Sequence, residues 1–178
     1  MKVIKPALFG GSVLDIGCGT YPYFLLKSPF TQKVGLDQVV GKWDEKRMPL
    51  PPNLKLRQIT LSGEIELPFP DSSFDCVTSM ACLEHLEPNC LPLLASEVYR
   101  VLKPSGQTVW TTPHAIADGP LQLLARMGWV SNEEIDEHKS LFHRRHLFEL
   151  MKDGGFLPAK IKVRGFQFGL NILAFAEK

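Results

Sequence analysis

The sequence has no long apolar run and almost no excess charge of either sign. No apolar stretch approaches the roughly 20 residues that a membrane-spanning helix needs, so no membrane span is expected. The formal net charge of the 178 residues is +1, which argues against a dedicated binder of nucleic acid or another polyanion. Nothing at the start of the chain reads as a secretion signal. These absences together predict a cytoplasmic protein.

Cysteine is scarce, and its spacing suits neither a metal site nor a disulfide framework. The four cysteines contain no C-x-x-C pair; they are Cys18, Cys76, Cys82 and Cys90. The last three lie in or beside apolar segments, where a free thiol behaves as a small hydrophobe. Glu84 and His85 resemble half of an H-E-x-x-H zinc site, but no second histidine lies one turn away. No metal ligand is therefore predicted.

The most informative stretch is VLDIGCGTYPYF, residues 13–24. Its mostly apolar start predicts a buried parallel strand over Val13–Ile16, with Asp15 near the carboxyl end. Gly17 and Gly19 allow a sharp turn and a close approach of the backbone to a ligand. A helix that starts after this turn presents free N–H groups to polar or negative ligand atoms. The pattern predicts a ligand site where the first strand meets the first helix of an open α/β sheet.

Strand patterns alternate with helix patterns along the rest of the chain, which favours βαβ units and a parallel sheet. The predicted strands cover residues 13–16, 34–36, 54–60, 74–80, 107–112, 160–163 and 171–176. A short helical piece is predicted around 24–27, an amphipathic helix through Leu91, Leu94, Val98 and Val101, and a helix over 146–152 that Gly154 and Gly155 stop. The length suits one α/β domain over residues 1–178.

Two classes of nucleotide cofactor use such a glycine turn. The dinucleotide fingerprint G-x-G-x-x-G needs a third glycine, but Pro22 stands at that position. Asp37 closes the second predicted strand about 20 residues after the turn, where a carboxylate can accept two hydrogen bonds from a ribose diol. Because both cofactor classes carry that diol, Asp37 supports either. A nicotinamide-dependent oxidoreductase is thus one hypothesis, which Pro22 disfavours.

Longer motifs favour the other class. Asp15, Gly17 and Gly19 match motif I of class I S-adenosylmethionine-dependent methyltransferases, D/E-x-G-x-G-x-G, with Tyr21 in place of the last glycine. LPFPDSSFDCV, residues 67–77, resembles the L-P-F-x-D-x-S-F-D-x-V signature of the type 11 methyltransferase subfamily. The resemblance continues through LEHL (83–86), VLKPSG (101–106), KDGGF (152–156) and the closing NILAFAEK. The motifs keep the family's order over nearly the whole chain.

This resemblance implies a Rossmann-like class I methyltransferase fold. Such a fold has a seven-stranded, mostly parallel sheet with a C-terminal antiparallel hairpin and helices on both faces. Related enzymes usually carry one or two helices before the first strand, whereas about a dozen residues precede it here. A reduced N-terminal cover is therefore expected. The cleft on this side would be closed by a homodimer contact or another partner, by the acceptor-side region 113–145 acting as a lid, or by nothing.

The resemblance also implies S-adenosylmethionine as cofactor and S-adenosylhomocysteine as product. Gly17–Gly19 would face the methionine part and Asp37 the ribose. Usual members place an aspartate four or five residues before LPF to bond the adenine, but Ser62 and Gly63 stand there, with Glu64 one step later. Met80 and Ala81 would lie near the sulfonium. The cofactor-binding residues expected in all are Asp15, Gly17, Cys18, Gly19, Tyr21, Asp37, Gln38, Ser62, Gly63, Glu64, Met80 and Ala81.

Histidines are the candidates for a general base, which methyl transfer needs only when the acceptor must lose a proton. His85 follows the fourth strand and His114 follows the fifth, and His138 and His143 lie before the last crossover helix. The alternative for each of them is a hydrogen-bonded structural or surface histidine. Lys139, Arg144 and Arg145 form a basic cluster nearby, either a solvated face or a patch for an anionic acceptor.

The sequence therefore supports two hypotheses within one fold. The first is an S-adenosylmethionine-dependent methyltransferase that acts on a small-molecule acceptor. The second is a catalytically weak or inactive methyltransferase-fold protein that serves as a cofactor-binding partner subunit. The reduced N-terminal cover and the departure at Ser62 and Gly63 motivate this alternative.

Overall fold

A single sheet organises the part of the chain that the computed structural model describes, residues 4–40, 50–63, 65–115, 140 and 142–178. Its strands are β1 (Ser12–Ile16), β2 (Gln32–Asp37), β3 (Leu54–Gln58), β4 (Phe74–Met80), β5 (Leu102–Pro113), β6 (Ile161–Phe166) and β7 (Asn171–Glu177). They lie in the order β3-β2-β1-β4-β5-β7-β6. The first five are parallel, and β7 runs antiparallel to both β5 and β6. The predicted mostly parallel sheet with a C-terminal hairpin is confirmed.

Helices cover both faces of this sheet, because the side chains of each strand alternate between the faces. The helices are α1 (Tyr23–Lys27), α2 (Cys90–Val101) and α3 (Arg144–Asp153). Short 3₁₀ turns occur at Pro6–Leu8, Leu83–His85, Pro158–Lys160 and Gln167–Gly169. Leu14 and Val77 pack with α2 and α3 in the larger core, whereas Val13 and Cys76 pack with α1 in the smaller one.

The helix α2 buries one face at the spacing that its sequence predicts. Its buried apolar residues include Leu91, Leu94, Ala95, Val98 and Val101, which recur three or four positions apart. Burial of each large side chain contributes about 1.5–3 kcal/mol. This face anchors α2 on β4 and β5, and so it holds the 3₁₀ turn before α2 close to the carboxyl end of β4.

The strand β5 begins earlier than predicted, at Leu102 rather than Gln107. Leu102 pairs with Phe74, and the register then shifts before Gln107 pairs with Cys76. This irregularity accommodates Lys103–Gly106, which the sequence indicates only as a turn. A Cβ on Gly106 would lie 2.8 Å from the Lys103 carbonyl oxygen, so the close backbone approach requires glycine.

Other boundaries differ as well: the second strand, predicted over 34–36, covers Gln32–Asp37, and the sixth, predicted over 160–163, covers Ile161–Phe166. The sequence extends β3 to Thr60, but the strand ends at Gln58, which pairs with the last residue of β2, Asp37. The Ile59 N–H still donates to the Asp37 carbonyl oxygen at 2.9 Å, and β2 itself ends at Asp37. The helix α3 begins at Arg144, two residues before the predicted start.

The strand order places a ligand crevice at one edge of the sheet. The connections reverse direction at β1, which lies between β2 and β4. Open α/β sheets bind ligands outside the carboxyl ends of the strands at such a switch point. Residues 17–19, 37–38 and 80–85 follow those ends here. In the described residues, no helix combines the length and apolar character needed to cross a membrane.

Candidate functional site

The glycine turn after β1 is held by the neighbouring strand β2. The backbone N–H groups of Gly17 and Cys18 donate to the Leu36 carbonyl oxygen at 2.8 and 3.1 Å. Gly17 and Gly19 have φ of +76° and +70°, the left-handed region that favours glycine. A Cβ on Gly17 would lie 2.5 Å from the Cys82 sulfur. The turn therefore requires glycine both for its conformation and for its contact with the segment after β4.

Asp37, at the end of β2, connects to this turn. Its Oδ2 accepts a hydrogen bond from the Gly19 N–H at 2.8 Å, and its Oδ1 accepts one from the Val39 N–H at 2.9 Å. An ionised carboxylate has about four lone-pair positions. Two acceptor positions of Asp37 therefore remain for a ligand diol.

A pocket of about 550 Å³ opens beside Asp37. Its lining combines apolar walls with a few polar groups: Gly17, Gly19, Leu36, Asp37, Gln38, Ile59, Thr60, Leu61, Ser62, Ala81, Cys82, His85, Leu86 and Glu87. Ligand sites of this kind bind an apolar ring by contact and orient it with a small number of polar groups. A nucleoside has both features, a flat base and a polar ribose.

A second pocket, of about 600 Å³, lies on the α1 side of the same turn. Five predicted cofactor residues line it: Asp15, Gly17, Cys18, Tyr21 and Met80. The rest of its lining is largely aromatic or aliphatic and comes from the start of the chain and from α1. Because Gly17 lines both pockets, the two cavities adjoin at the glycine turn.

Asp15 is buried in the wall of the second pocket, and its pKa is raised above the ordinary value for an aspartate. The Thr78 hydroxyl donates to its Oδ1 at 2.6 Å. Burial raises the pKa of Asp15 to about 7, the Thr78 hydrogen bond opposes this rise, and the negative charge of Asp37 adds to it. The protonation of Asp15 therefore changes near neutral pH, at the edge of a ligand pocket.

Ten of the twelve predicted cofactor residues line one of the two pockets. Gly63 is exposed and lies outside both linings, and Glu64 falls outside the described residues. Ile59, Thr60 and Leu61 also line the pocket next to Asp37, although no motif in the sequence predicts them. Their position directly after β3, the neighbour of β2, is the signal that could have identified them.

The candidate histidines that the structure describes do not all lie together. His85 is half-buried and lines the pocket beside Asp37. His114 is buried, and its ring meets the exposed His143 ring edge to face at a centroid distance of 5.3 Å. Burial, His143 and Arg144 all lower the pKa of His114. His138 lies outside the described residues. The structure thus pairs two of the candidates and places a third in the pocket lining.

A buried hydrogen bond links the two histidine positions. Glu84 precedes His85 and is buried, and its Oε2 accepts a hydrogen bond from the Thr112 hydroxyl at 3.0 Å. Thr112 lies two residues before His114 at the end of β5. The Ser140 N–H donates to the Glu84 carbonyl oxygen at 3.1 Å. The pocket and the His114 region are therefore connected through the interior.

The basic cluster lies at the first turn of α3. Arg144, Arg145 and His146 are exposed, and the His146 ring stacks on buried Phe142. Lys139, predicted to belong to the cluster, lies outside the described residues. The sequence indicates this charge, and the structure adds that it begins next to His114.

The cysteines are free thiols in the fold. Burial raises the pKa of Cys18, Cys76 and Cys82 to about 12, which keeps these thiols protonated. Across the described part of the chain, no three His, Cys, Asp or Glu side chains group closely enough to hold a metal ion.

Comparison with known proteins identifies the family. The family model described as a methyltransferase domain, type 11, matches residues 14–110, more than half of the chain. A demethylmenaquinone methyltransferase from Symbiobacterium thermophilum is 33% identical over 106 residues, which cover 56% of this chain. Those residues cover 41% of that relative, so the chain spans about two fifths of its length.

Solved structures share the fold at low sequence identity. An S-adenosylmethionine-dependent methyltransferase from Mesorhizobium loti matches with a TM-score of 0.75 and 19% identity, over 98% of this chain and 94% of that one. A methyltransferase-like chain from Haloferax volcanii, in complex with the Trm112 methyltransferase activator, matches with a TM-score of 0.72 and 17% identity, over 97% and 84%. Together with the family model and the motifs, these matches show that the chain belongs to the type 11 family of class I S-adenosylmethionine-dependent methyltransferases.

Proposed function

We propose that this protein binds S-adenosylmethionine and transfers its methyl group to a small-molecule acceptor, with S-adenosylhomocysteine as product. One observation carries the proposal: two pockets adjoin at Gly17, at the switch point of the sheet, and one of them holds the Asp37 carboxylate. Family membership supports the same cofactor.

The lining residues fit the two halves of this cofactor. Asp37 would accept hydrogen bonds from the ribose diol, while Ile59 and Leu61 would contact the adenine ring. In the adjoining pocket, Gly17 and Tyr21 would contact the methionine part, and Asp15 would offset the charge of its ammonium group. Met80 would lie at the junction of the two halves.

The main contribution of the protein to methyl transfer would be to position the cofactor and the acceptor. The bound cofactor supplies an electrophilic methyl group on a sulfonium. The two pockets would hold its ends and thereby orient the methyl group toward an acceptor, and such alignment supplies much of the rate. His85 in the lining, or His114 beside His143, would accept a proton from a hydroxyl or amine acceptor.

Calorimetry with S-adenosylhomocysteine tests the cofactor assignment. We expect saturable binding, and absence of binding up to millimolar concentration would refute the proposal. A parallel titration with NADH tests the oxidoreductase hypothesis, since measurable NADH affinity would support that hypothesis. A labelled-cofactor screen of acceptors, including a demethylmenaquinone analogue because of the named relative, would then search for the acceptor.

A second candidate function is a cofactor-binding partner subunit with weak or no catalysis. The likeness to the Haloferax volcanii chain, which is in complex with a methyltransferase activator, supports it. Methyl transfer by the isolated protein to any acceptor would exclude an inactive subunit. Cofactor binding without transfer, followed by transfer once a partner is added, would support it.

A further inference from the structure

The first turn of α3 carries an unusual concentration of positive and titratable side chains. His143 precedes the helix, and Arg144, Arg145 and His146 open it, with no acidic residue in the first turn. The amino end of a helix favours negative charge, since its free N–H groups carry partial positive charge. The charges of this segment therefore oppose the helix dipole, and an anion bound here would relieve the conflict.

Arg144 is positioned by the backbone of β6. A Cβ built on Gly165 would lie 2.7 Å from the Arg144 Nη2, so the guanidinium rests against this glycine. Among the residues that the structure describes, no carboxylate lies within ion-pair distance of Arg144. The guanidinium thus has its donors available next to the His143 side chain.

His114, at the end of β5, lies beside His143 and Arg144. Its buried ring meets the His143 ring at 5.3 Å, and Arg144 is near enough to lower its pKa. Two imidazoles and a guanidinium therefore converge from β5 and from the start of α3. An oxyanion that accepts hydrogen bonds from Arg144 and His143 would offset the concentration of positive charge at the start of α3.

The cluster lies at the same edge of the sheet as the pocket beside Asp37. The Thr112 hydroxyl, two residues before His114, donates to Glu84, and the neighbouring His85 lines the pocket beside Asp37. The Thr111 carbonyl oxygen accepts from the Ala81 N–H at 2.9 Å, which fixes the end of β5 against the end of β4. An anion bound by Arg144 and His143 would therefore lie at the edge of the sheet where methyl transfer is proposed.

We propose that the methyl acceptor carries a carboxylate or a phosphate, which Arg144 and His143 bind beside His114. This proposal rests on the proposed function, because it names the acceptor class of the same site. The guanidinium supplies a bidentate donor, and the exposed His143 imidazole next to it supplies an N–H group.

Titration with phenyl phosphate and with benzoate tests the proposal and distinguishes the two anions. We expect saturable binding of at least one of them to the full chain, followed by calorimetry or by the histidine ring NMR signals. Arg144→Gln should weaken that binding roughly tenfold, as expected for loss of a charged hydrogen-bond partner. Arg57→Gln is the matched control, since Arg57 lies on β3, at the opposite edge of the sheet.

Gly165→Ala provides a second variant that keeps every charge. Its new Cβ would displace the Arg144 guanidinium, so anion binding should weaken while the net charge is unchanged. Three results would each overturn the proposal. The first is that neither anion binds saturably to the full chain, and the second is that Arg144→Gln and Arg57→Gln lose the same anion affinity. The third is an anion affinity that is unchanged in Gly165→Ala.

Cofactor binding separates this proposal from the proposed function. S-adenosylhomocysteine affinity should be unchanged in Arg144→Gln, which also shows that the variant is folded. Anion binding should in turn persist in a variant of Asp37 that has lost cofactor affinity. Loss of both ligands in Arg144→Gln, with a normal thermal unfolding curve, would contradict a separate acceptor subsite.

Discussion

The carboxylate of Asp37 accepts a hydrogen bond from the backbone N–H of Gly19 at 2.8 Å. Asp37 ends β2 and Gly19 follows β1, and these parallel strands pair up to Ile16 and Leu36. One side chain therefore positions the glycine turn and also presents acceptor atoms to the pocket. The geometry of the turn and the proposed contact with a ribose therefore depend on the same carboxylate.

Asp37→Asn should weaken S-adenosylhomocysteine binding by more than about tenfold. Both carboxylate oxygens accept from backbone N–H groups, so an amide must place its NH₂ against one of them. Charge-assisted hydrogen bonds of this kind contribute about 1.5–3 kcal/mol. Calorimetry measures the change, with Asp153→Asn, an exposed carboxylate at the end of α3, as control. Equal affinity of the two variants would contradict a role of Asp37 in binding.

Gly17→Ala should destabilise the fold more than Gly10→Ala does. Both glycines have positive φ, so both substitutions incur about 1–2 kcal/mol of backbone strain. Only at Gly17 does the new Cβ meet another residue, at 2.5 Å from the Cys82 sulfur, whereas no heavy atom lies within 4 Å at Gly10. Overpacking adds roughly 1–3 kcal/mol. Urea unfolding compares the two variants, and equal losses would show that the Cys82 contact is relieved at little cost.

The buried carboxyl of Asp15 should make stability depend on pH between about 4 and 7. Its pKa rises from 3.8 to about 7 in the fold, so the folded state holds the proton more tightly than the unfolded chain. The resulting stabilisation is complete at low pH and is lost as pH rises through about 7. At 1.36 kcal/mol per pKa unit, it amounts to at most roughly 4 kcal/mol.

Asp15→Asn keeps an acceptor for the Thr78 hydroxyl but cannot ionise. The free energy of unfolding of this variant, relative to the natural chain, should therefore increase as pH rises from about 4 to about 7. Unfolding curves across this range make the comparison. A constant difference between the two proteins would show that Asp15 does not titrate in this window.

Thr112→Val should destabilise the fold by about 1–3 kcal/mol, the cost of leaving a buried polar group without a partner. The substitution nearly preserves shape but removes the hydroxyl that donates to buried Glu84 at 3.0 Å. Thr111→Val is the matched control, because Thr111 is half-buried on the opposite face of β5. Urea unfolding tests the difference, and similar losses in both variants would mean that Glu84 does not depend on Thr112.

Local patterns were sufficient for most of the sheet. The predicted strand over 74–80 coincides with β4, and the predictions for β1 and β7 miss one terminal residue each. Buried apolar runs and the turns that bound them are properties of adjacent residues, so they can be read without the fold. The start of β5 could not be predicted this way, because it depends on the pairing of Leu102 with Phe74.

The sequence by itself determined the family, the cofactor class and the residues on both sides of the glycine turn, since these lie in short contiguous motifs. Only the tertiary structure decided that His114 meets His143, that Thr112 bonds to Glu84, and that Gly165 supports Arg144. Each of these contacts joins segments far apart in the chain. They form because α3 packs on β6 and β7 beside the end of β5, and this packing depends on the whole core rather than on any local pattern.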